Sequence, residues 1–174
     1  MLRNLSKIPK YVLYFSVLIC IVIVFHYFVF ASNATETKEE LVIVDNVVLT
    51  SDEKETLDII NETRKSYGLA TLQIREDLQR VAKLKAEDII NNKYLSHTSP
   101  TYGTPHEMLE KNNIKFKMAG ENLAVNQENE KAVKEWMNSS AHRSNILDPN
   151  YKFTGLCVLN SYEYGKIYVQ LFLD

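Results

Sequence analysis

The sequence contains 174 residues, of which 45% are hydrophobic and 24% are charged, and its formal net charge is −2. This length allows one or two domains, and the abundant aliphatic and aromatic residues exclude a mostly disordered chain. The charge is unevenly distributed, because the first 35 residues carry three cations and no acid. The remaining residues hold 17 Lys and Arg against 22 Asp and Glu, so we expect no nucleic-acid partner.

An apolar run without Asp, Glu, Lys or Arg extends from Tyr11 to Phe30. Its length matches the roughly 20 residues that a helix needs to cross a bilayer, so we predict a transmembrane signal-anchor over residues 11–31. Acidic residues follow the run, whereas the three cations precede it. The positive-inside rule then places residues 1–10 in the cytoplasm and the rest of this single-pass membrane protein outside the cell. The three cations are Arg3, Lys7 and Lys10.

Cleavage of the apolar segment is the alternative, because the small residues Ala31 and Ala34 follow it, and a cleaved chain would be secreted. Residues 32–49 are predicted to form an extracellular linker. Its first part, Ser32–Glu40, is polar and acidic, which is typical of a tether. Its second part, Leu41–Leu49, is rich in β-branched residues and is either a strand or a docking segment.

A compact domain is predicted over residues 50–174, which is long enough for one hydrophobic core. Cys157 is the only cysteine after the apolar run, so this domain forms no internal disulfide. Its stability must therefore come from its core, which favours a bacterial exported protein over a small disulfide-rich secreted domain.

Helical periodicity dominates the first half of the domain. A first helix is expected to begin with a cap at Ser51 or Asp52 and to end at Gly68. A second helix is expected over about residues 76–92, where apolar residues recur every three or four positions.

Two shorter helices and three strands are predicted in the second half. Thr104 and Glu107 have the spacing of a capping box, and Pro105 occupies the first position of the helix. Another helix covers about residues 128–138. Helices followed by antiparallel strands favour an α+β layered domain. The predicted strands are residues 119–125, 154–159 and 166–173.

Three polar residues belong neither to a helix stripe nor to an ordinary surface face. His97 follows the second helix, Glu121 lies at the start of a strand, and His142 follows the fourth helix. Glu121 comes directly after Gly120, which permits a close approach of another segment to the backbone. The spacing of the three residues does not by itself show that they meet.

Five ordered segments extend this observation: SHTSP, AGENLA, EWMNSSAHRSNIL, FTGLCV and YVQLF. Together they resemble the CAP superfamily of cysteine-rich secretory proteins, antigen 5 and pathogenesis-related proteins, whose domain is also called the SCP domain. The similarity is greatest to the bacterial, disulfide-free branch. The resemblance implies a three-layer α-β-α sandwich with a central antiparallel sheet, and a cleft in which His97, Glu121 and His142 face one another. Eukaryotic-type members carry a second Glu three positions after the helix Trp, where this sequence has Ser139.

Two imidazoles and a carboxylate are a ligand set that suits Zn²⁺ with an open position for water. A zinc-dependent hydrolase or protease with His97 and His142 as metal ligands is therefore one hypothesis. The HExxH motif of zinc proteases is absent, because the motif that begins at His106 and Glu107 has Glu110 in its last position.

A nucleophilic mechanism is a weaker alternative. Ser139 lies close to His142 in sequence, but the Gly-x-Ser-x-Gly elbow of serine hydrolases is missing. Cys157 lies within an apolar strand and is predicted to be a buried structural thiol. Asn145 is expected to orient the cleft. The three polar residues also fit a hydrogen-bonded cluster that only supports packing, without ligand or catalysis.

These observations favour a binding or interaction module at the bacterial cell envelope, for which catalysis is the less favoured role. The cleft candidates are His97, Glu121, His142, Ser139 and Asn145. The expected partners are a lipid, peptidoglycan or a protein of the envelope, together with the membrane itself through the N-terminal helix. Zn²⁺ is the cofactor of the hydrolase alternative, and a structural envelope protein is the remaining alternative.

Overall fold

A computed structural model describes residues 40–174 and, in the N-terminal part, the three helical residues Cys20, Val22 and Ile23. The rest of the predicted membrane segment 11–31 lies outside the described residues. Within the described part of the chain, no helix combines the length and the apolarity needed to cross a membrane. Residues 40–174 lie in one compact unit.

This unit begins with a β-hairpin of strands β1 (Leu41–Val44) and β2 (Val47–Thr50). Asp45 and Asn46 form its turn with φ values of 49° and 64°, as a type I′ turn requires. Val47 and Leu49 are buried in the core. Residues 41–49, which were placed in the linker from sequence, are therefore a strand pair that packs on the domain.

Five helices form between residues 40 and 174, and two of them begin with a capping box. Thr50 and Glu53 cap the first helix, so the predicted cap at Ser51 or Asp52 is wrong by one or two positions. The predicted box of Thr104 and Glu107 is confirmed. The helices are α1 (Ser51–Ser66), α2 (Glu76–Asn92), α3 (Pro105–Lys111), α4 (Asn129–Asn138) and α5 (Ser140–Ile146).

The main sheet has four strands in the order β3-β5-β6-β4. Its three long strands pair antiparallel, as predicted, but β3 pairs with β5 in parallel. The predicted central antiparallel sheet is thus confirmed for the long strands, and β3 makes the whole sheet mixed, since the main-chain N–H groups of Gln73 and Arg75 donate to the carbonyls of Lys152 and Thr154. The strands are β3 (Gln73–Ile74), β4 (Ala119–Asn126), β5 (Phe153–Ser161) and β6 (Gly165–Leu173).

Side chains of β6 alternate between two hydrophobic clusters. Tyr168 and Phe172 join one cluster, to which α1, α4 and α5 contribute. Val169 and Leu171 join the other, to which α2 and α3 contribute. Because successive side chains of a strand point to opposite faces, the helices cover both faces of the sheet. This arrangement has three layers, α-β-α.

Candidate functional site

The candidate site lies on β4, an edge strand of the main sheet that contacts α5. His97, in the loop after α2, contacts Glu121 of β4, with Nδ1 lying 2.7 Å from Oε1. The side chain of Glu121 is only 3% exposed, whereas that of His97 is 56% exposed. A buried carboxylate therefore holds an imidazole at the protein surface.

This hydrogen bond defines the chemistry of the imidazole. An ionised carboxylate only accepts hydrogen bonds, so Nδ1 of His97 donates to Glu121. The same bond raises the pKa of His97 above its ordinary value, and the negative charge of Glu121 adds to this effect. Nε2 lies on the far side of the ring from Glu121. It donates a hydrogen bond when His97 is protonated and offers a lone pair when His97 is neutral.

His142 lies on α5, a helix that contacts β4. Burial lowers the pKa of His142, and the charge of His97 lowers it further. The main-chain carbonyl of His142 accepts a hydrogen bond of 3.2 Å from the side chain of Asn122 on β4. The structure pairs His97 directly with Glu121 and connects the main chain of His142 to β4 through Asn122, whereas a cleft shared by all three side chains stays a prediction.

Asn145 positions this cluster from α5. Its amide donates to the carbonyl oxygen of Glu121 at 3.2 Å and to the side chain of Asn122 at 2.9 Å. A Cβ atom on Gly120 would lie 3.0 Å from Oδ1 of Asn145 and 2.8 Å from the hydroxyl of Tyr151. The predicted close approach at Gly120 is confirmed, and it lets α5 lie against the strand.

Ser139 lies at the junction of α4 and α5, where its main-chain N–H donates to Glu135 and Trp136. No hydrogen bond of its side chain to His142 or Glu121 is present among residues 40–174. Cys157 is buried as predicted, and burial raises the pKa of its thiol far above the usual range. Neither residue is arranged as an activated nucleophile.

The predicted zinc ligands do not form a three-ligand group in this arrangement. Among the described residues, no three His, Cys, Asp or Glu side chains are grouped to hold a metal ion. Oε1 of Glu121 is bonded to His97, and Oε2 is buried without a partner in the described part of the chain. Glu121 therefore orients His97 and does not lie beside both imidazoles as a third ligand.

Two residues that contact the loop of His97, Lys85 and Asp88 of α2, were missed from sequence. The ammonium of Lys85 donates to the carbonyls of Ser96 and His97, each at 2.8 Å. The carboxylate of Asp88 accepts from the hydroxyl of Ser99 at 2.7 Å. Lys85 lies two helical turns after Leu78 and therefore on the same apolar face of α2. A charged residue on this face was the signal in the sequence that could have identified Lys85.

The comparisons with known proteins agree with this fold. Residues 57–172 match the family model described as the CAP, or cysteine-rich secretory protein, family. The chain belongs to the CAP family. Both cysteines of this CAP protein, Cys20 and Cys157, are free, as the resemblance to the disulfide-free branch implied.

Bacterial relatives extend the comparison. The CAP chain is 42% identical to the Bacillus subtilis protein YkwD over 122 residues, which are 70% of this chain and 46% of that protein. An extracellular SCP-domain protein of Bacillus anthracis has a TM-score of 0.64 at 31% identity, over 71% of this chain and 40% of that one. An outer surface protein of Borrelia burgdorferi has a TM-score of 0.67 at 26% identity, over 78% and 98%. The match thus spans less than half of each Bacillus relative.

Proposed function

We propose that this CAP domain is a binding module of the bacterial cell envelope whose ligand contacts the cleft of His97, Glu121 and His142. The observation that carries the proposal is the exposed imidazole of His97 held against the buried carboxylate of Glu121. Side chains that are fixed before a ligand arrives lose less conformational entropy when it binds. An exposed His with a locked ring is therefore suited to recognition, because its Nε2 atom is already oriented.

The envelope location is supported by the chain and by its relatives. The apolar run that ends at Phe30 has the length of a membrane anchor, and cleavage after it would leave a secreted domain. The Bacillus anthracis relative is named an extracellular protein, and the Borrelia relative an outer surface protein. A Bacillus subtilis relative named as the membrane protein YlbC is 37% identical over 116 residues, which are 66% of this chain and 34% of that protein. Peptidoglycan, which displays carboxylates, hydroxyls and amides outside the membrane, is the first ligand to test.

The hydrogen bond between Glu121 and His97 favours binding over metal-dependent hydrolysis. A metal-dependent hydrolase needs several ligands around one ion and an open water position, but Glu121 is engaged with His97. Titration calorimetry with Zn²⁺ distinguishes the two roles. We expect equal heats for the wild type and the His97→Ala/His142→Ala double variant. Saturable Zn²⁺ binding by the wild type alone would instead support the hydrolase hypothesis.

The proposal is tested by sedimentation of the full chain, in detergent, with isolated bacterial cell-wall sacculi. The wild type is expected to sediment with the sacculi, and the His97→Ala/Glu121→Ala/His142→Ala variant is expected to remain in the supernatant. His106→Ala is the matched control, because His106 is an exposed His that packs against Phe116. Equal retention of wild type and triple variant would exclude the cleft as the binding site. Failure of the wild type to bind sacculi would favour a structural role.

A further inference from the structure

Lys85 is a lysine whose side chain is completely buried within the apolar stripe of α2. Its relative exposure is 0%, whereas Lys and other charged residues are rarely buried unless they are paired. Its ammonium donates to three oxygens: the hydroxyl of Tyr94 at 3.2 Å and the carbonyls of Ser96 and His97, each at 2.8 Å. The three donors of the ammonium are thus matched by three acceptors, all of which belong to the loop that carries His97.

The partners of Lys85 indicate what this ammonium does. Burial lowers the pKa of Lys85, because removing a cation from water is unfavourable. The negative charges of Glu121 and Asp88 partly counteract this lowering. None of the salt bridges among the described residues includes Lys85, whose direct partners are neutral groups. An ammonium that bonds consecutive main-chain carbonyls fixes the path of the chain at Ser96 and His97.

Asp88 holds the same loop from the other side of His97. Its carboxylate accepts hydrogen bonds from Ser99 and from Asn92, each at 2.7 Å, and another from the hydroxyl of Tyr94. The hydroxyl oxygen of Ser99 in turn accepts from the main-chain N–H groups of the turn that follows. Lys85 and Asp88, which lie one helical turn apart on α2, therefore bind the loop on both sides of His97. The N–H groups of that turn belong to Thr101 and Tyr102.

We propose that Lys85 is a positioning residue of the cleft: by holding the carbonyls of Ser96 and His97, it sets the imidazole of His97 against Glu121. The inference rests on the proposed function, in which His97 meets the ligand. Lys85 itself is buried and touches no ligand. Its substitution should therefore weaken binding by releasing His97, although no contact residue is removed.

The tautomer of His97 is the measurement that separates positioning from general support of the fold. A solvated neutral imidazole prefers to carry its proton on Nε2, whereas donation to Glu121 requires the proton on Nδ1. Imidazole ¹⁵N shifts of the full chain in detergent micelles at pH 9 report the tautomer of each His. Glu121→Ala is the positive control, because it removes the acceptor of the Nδ1–H group. Lys83→Met is the matched negative control, because Lys83 lies on the solvent side of the same helix with its side chain 62% exposed.

The expected result is an Nδ1–H tautomer of His97 in the wild type and in Lys83→Met, and its loss in Lys85→Met. If Lys85→Met fails to fold, Lys85→Gln is measured instead, with the same expectation, because its amide is one bond shorter and does not reach both carbonyls. A folded Lys85 variant that keeps the Nδ1–H tautomer overturns the inference. This readout needs no ligand, so it stands even if the wild type binds no sacculi.

Discussion

The imidazole of His97 is more than half exposed, yet it is hydrogen-bonded to the carboxylate of Glu121, which is almost completely buried. A carboxylate on the edge strand β4 thus sets the orientation of a group that solvent and ligands reach. Carboxylates orient metal-ligating His side chains by the same kind of hydrogen bond. The pKa of His97 and its dependence on Glu121 follow directly from this contact.

Glu121→Gln is expected to lower the pKa of His97. The hydrogen bond to Glu121 is the largest cause of the raised pKa, and the amide removes both this charge-assisted bond and the negative charge. An NMR titration of the four His side chains measures the change. Glu87→Gln, on the exposed side of α2, is the control and should leave the His97 titration unchanged. A wild-type pKa for His97 in Glu121→Gln would show that the contact does not exist in solution.

The stability that His97 contributes is expected to decrease as the pH rises. Its pKa is higher in the folded state than the ordinary value of 6.5, so the folded protein binds more protons than the unfolded chain in this range. The contribution is complete below pH 6.5 and is lost as the pH rises through the folded pKa. Urea unfolding at pH 6 and pH 9 should show a smaller difference between wild type and His97→Gln at pH 9. A difference that grows toward pH 9 would contradict this sign.

His142 should respond to the removal of His97. Burial is the main cause of its lowered pKa, and the charge of His97 is the second. In His97→Ala the pKa of His142 is therefore expected to rise while remaining below its ordinary value. The same NMR titration measures it, with His106→Ala as the control. An unchanged His142 pKa in His97→Ala would mean that the two rings do not share one cleft.

The main elements were predictable because their signals are local. The stripe of α2 and the capping box of Thr104 and Glu107 lie within a few residues, and both were placed correctly. The cap of α1 was misplaced because Thr50, Ser51 and Asp52 are all good capping residues. Two reciprocal contacts select Thr50: the Glu53 carboxylate accepts from the N–H of Thr50 at 2.9 Å, and the Thr50 hydroxyl accepts from the N–H of Glu53 at 3.2 Å.

Elements defined by distant partners were not predictable in the same way. Strand β3 has two residues and no periodicity of its own, and it exists because Gln73 and Ile74 pair with Phe153 and Thr154. The cleft was predicted from the family resemblance, since residue spacing does not reveal that His97 meets Glu121. The partners of Lys85 were not predictable, because two of its three acceptors are main-chain carbonyls, which every sequence has and no motif marks.

Two Gly→Ala variants should differ in their cost. A Cβ on Gly155 would lie 2.3 Å from the main-chain carbonyl carbon of Leu78, where α2 packs on β5. Gly155→Ala is therefore expected to lower the free energy of unfolding by about 3 kcal/mol, at the upper end of overpacking costs. Gly68 has a φ of +74° and open space around it, so Gly68→Ala should cost only about 1 kcal/mol. Urea unfolding measures both, and equal costs would contradict the close packing of α2 on β5.

The central claim is that one cleft, formed by His97, Glu121 and His142, binds a ligand of the cell envelope. The most direct test follows the imidazole NMR signals of the full chain during titration with soluble peptidoglycan fragments released by muramidase digestion. The signals of His97 and His142 are expected to shift together and to saturate at the same concentration, while the signal of His106 stays in place. Fragments that bind without moving either His97 or His142 would contradict the claim.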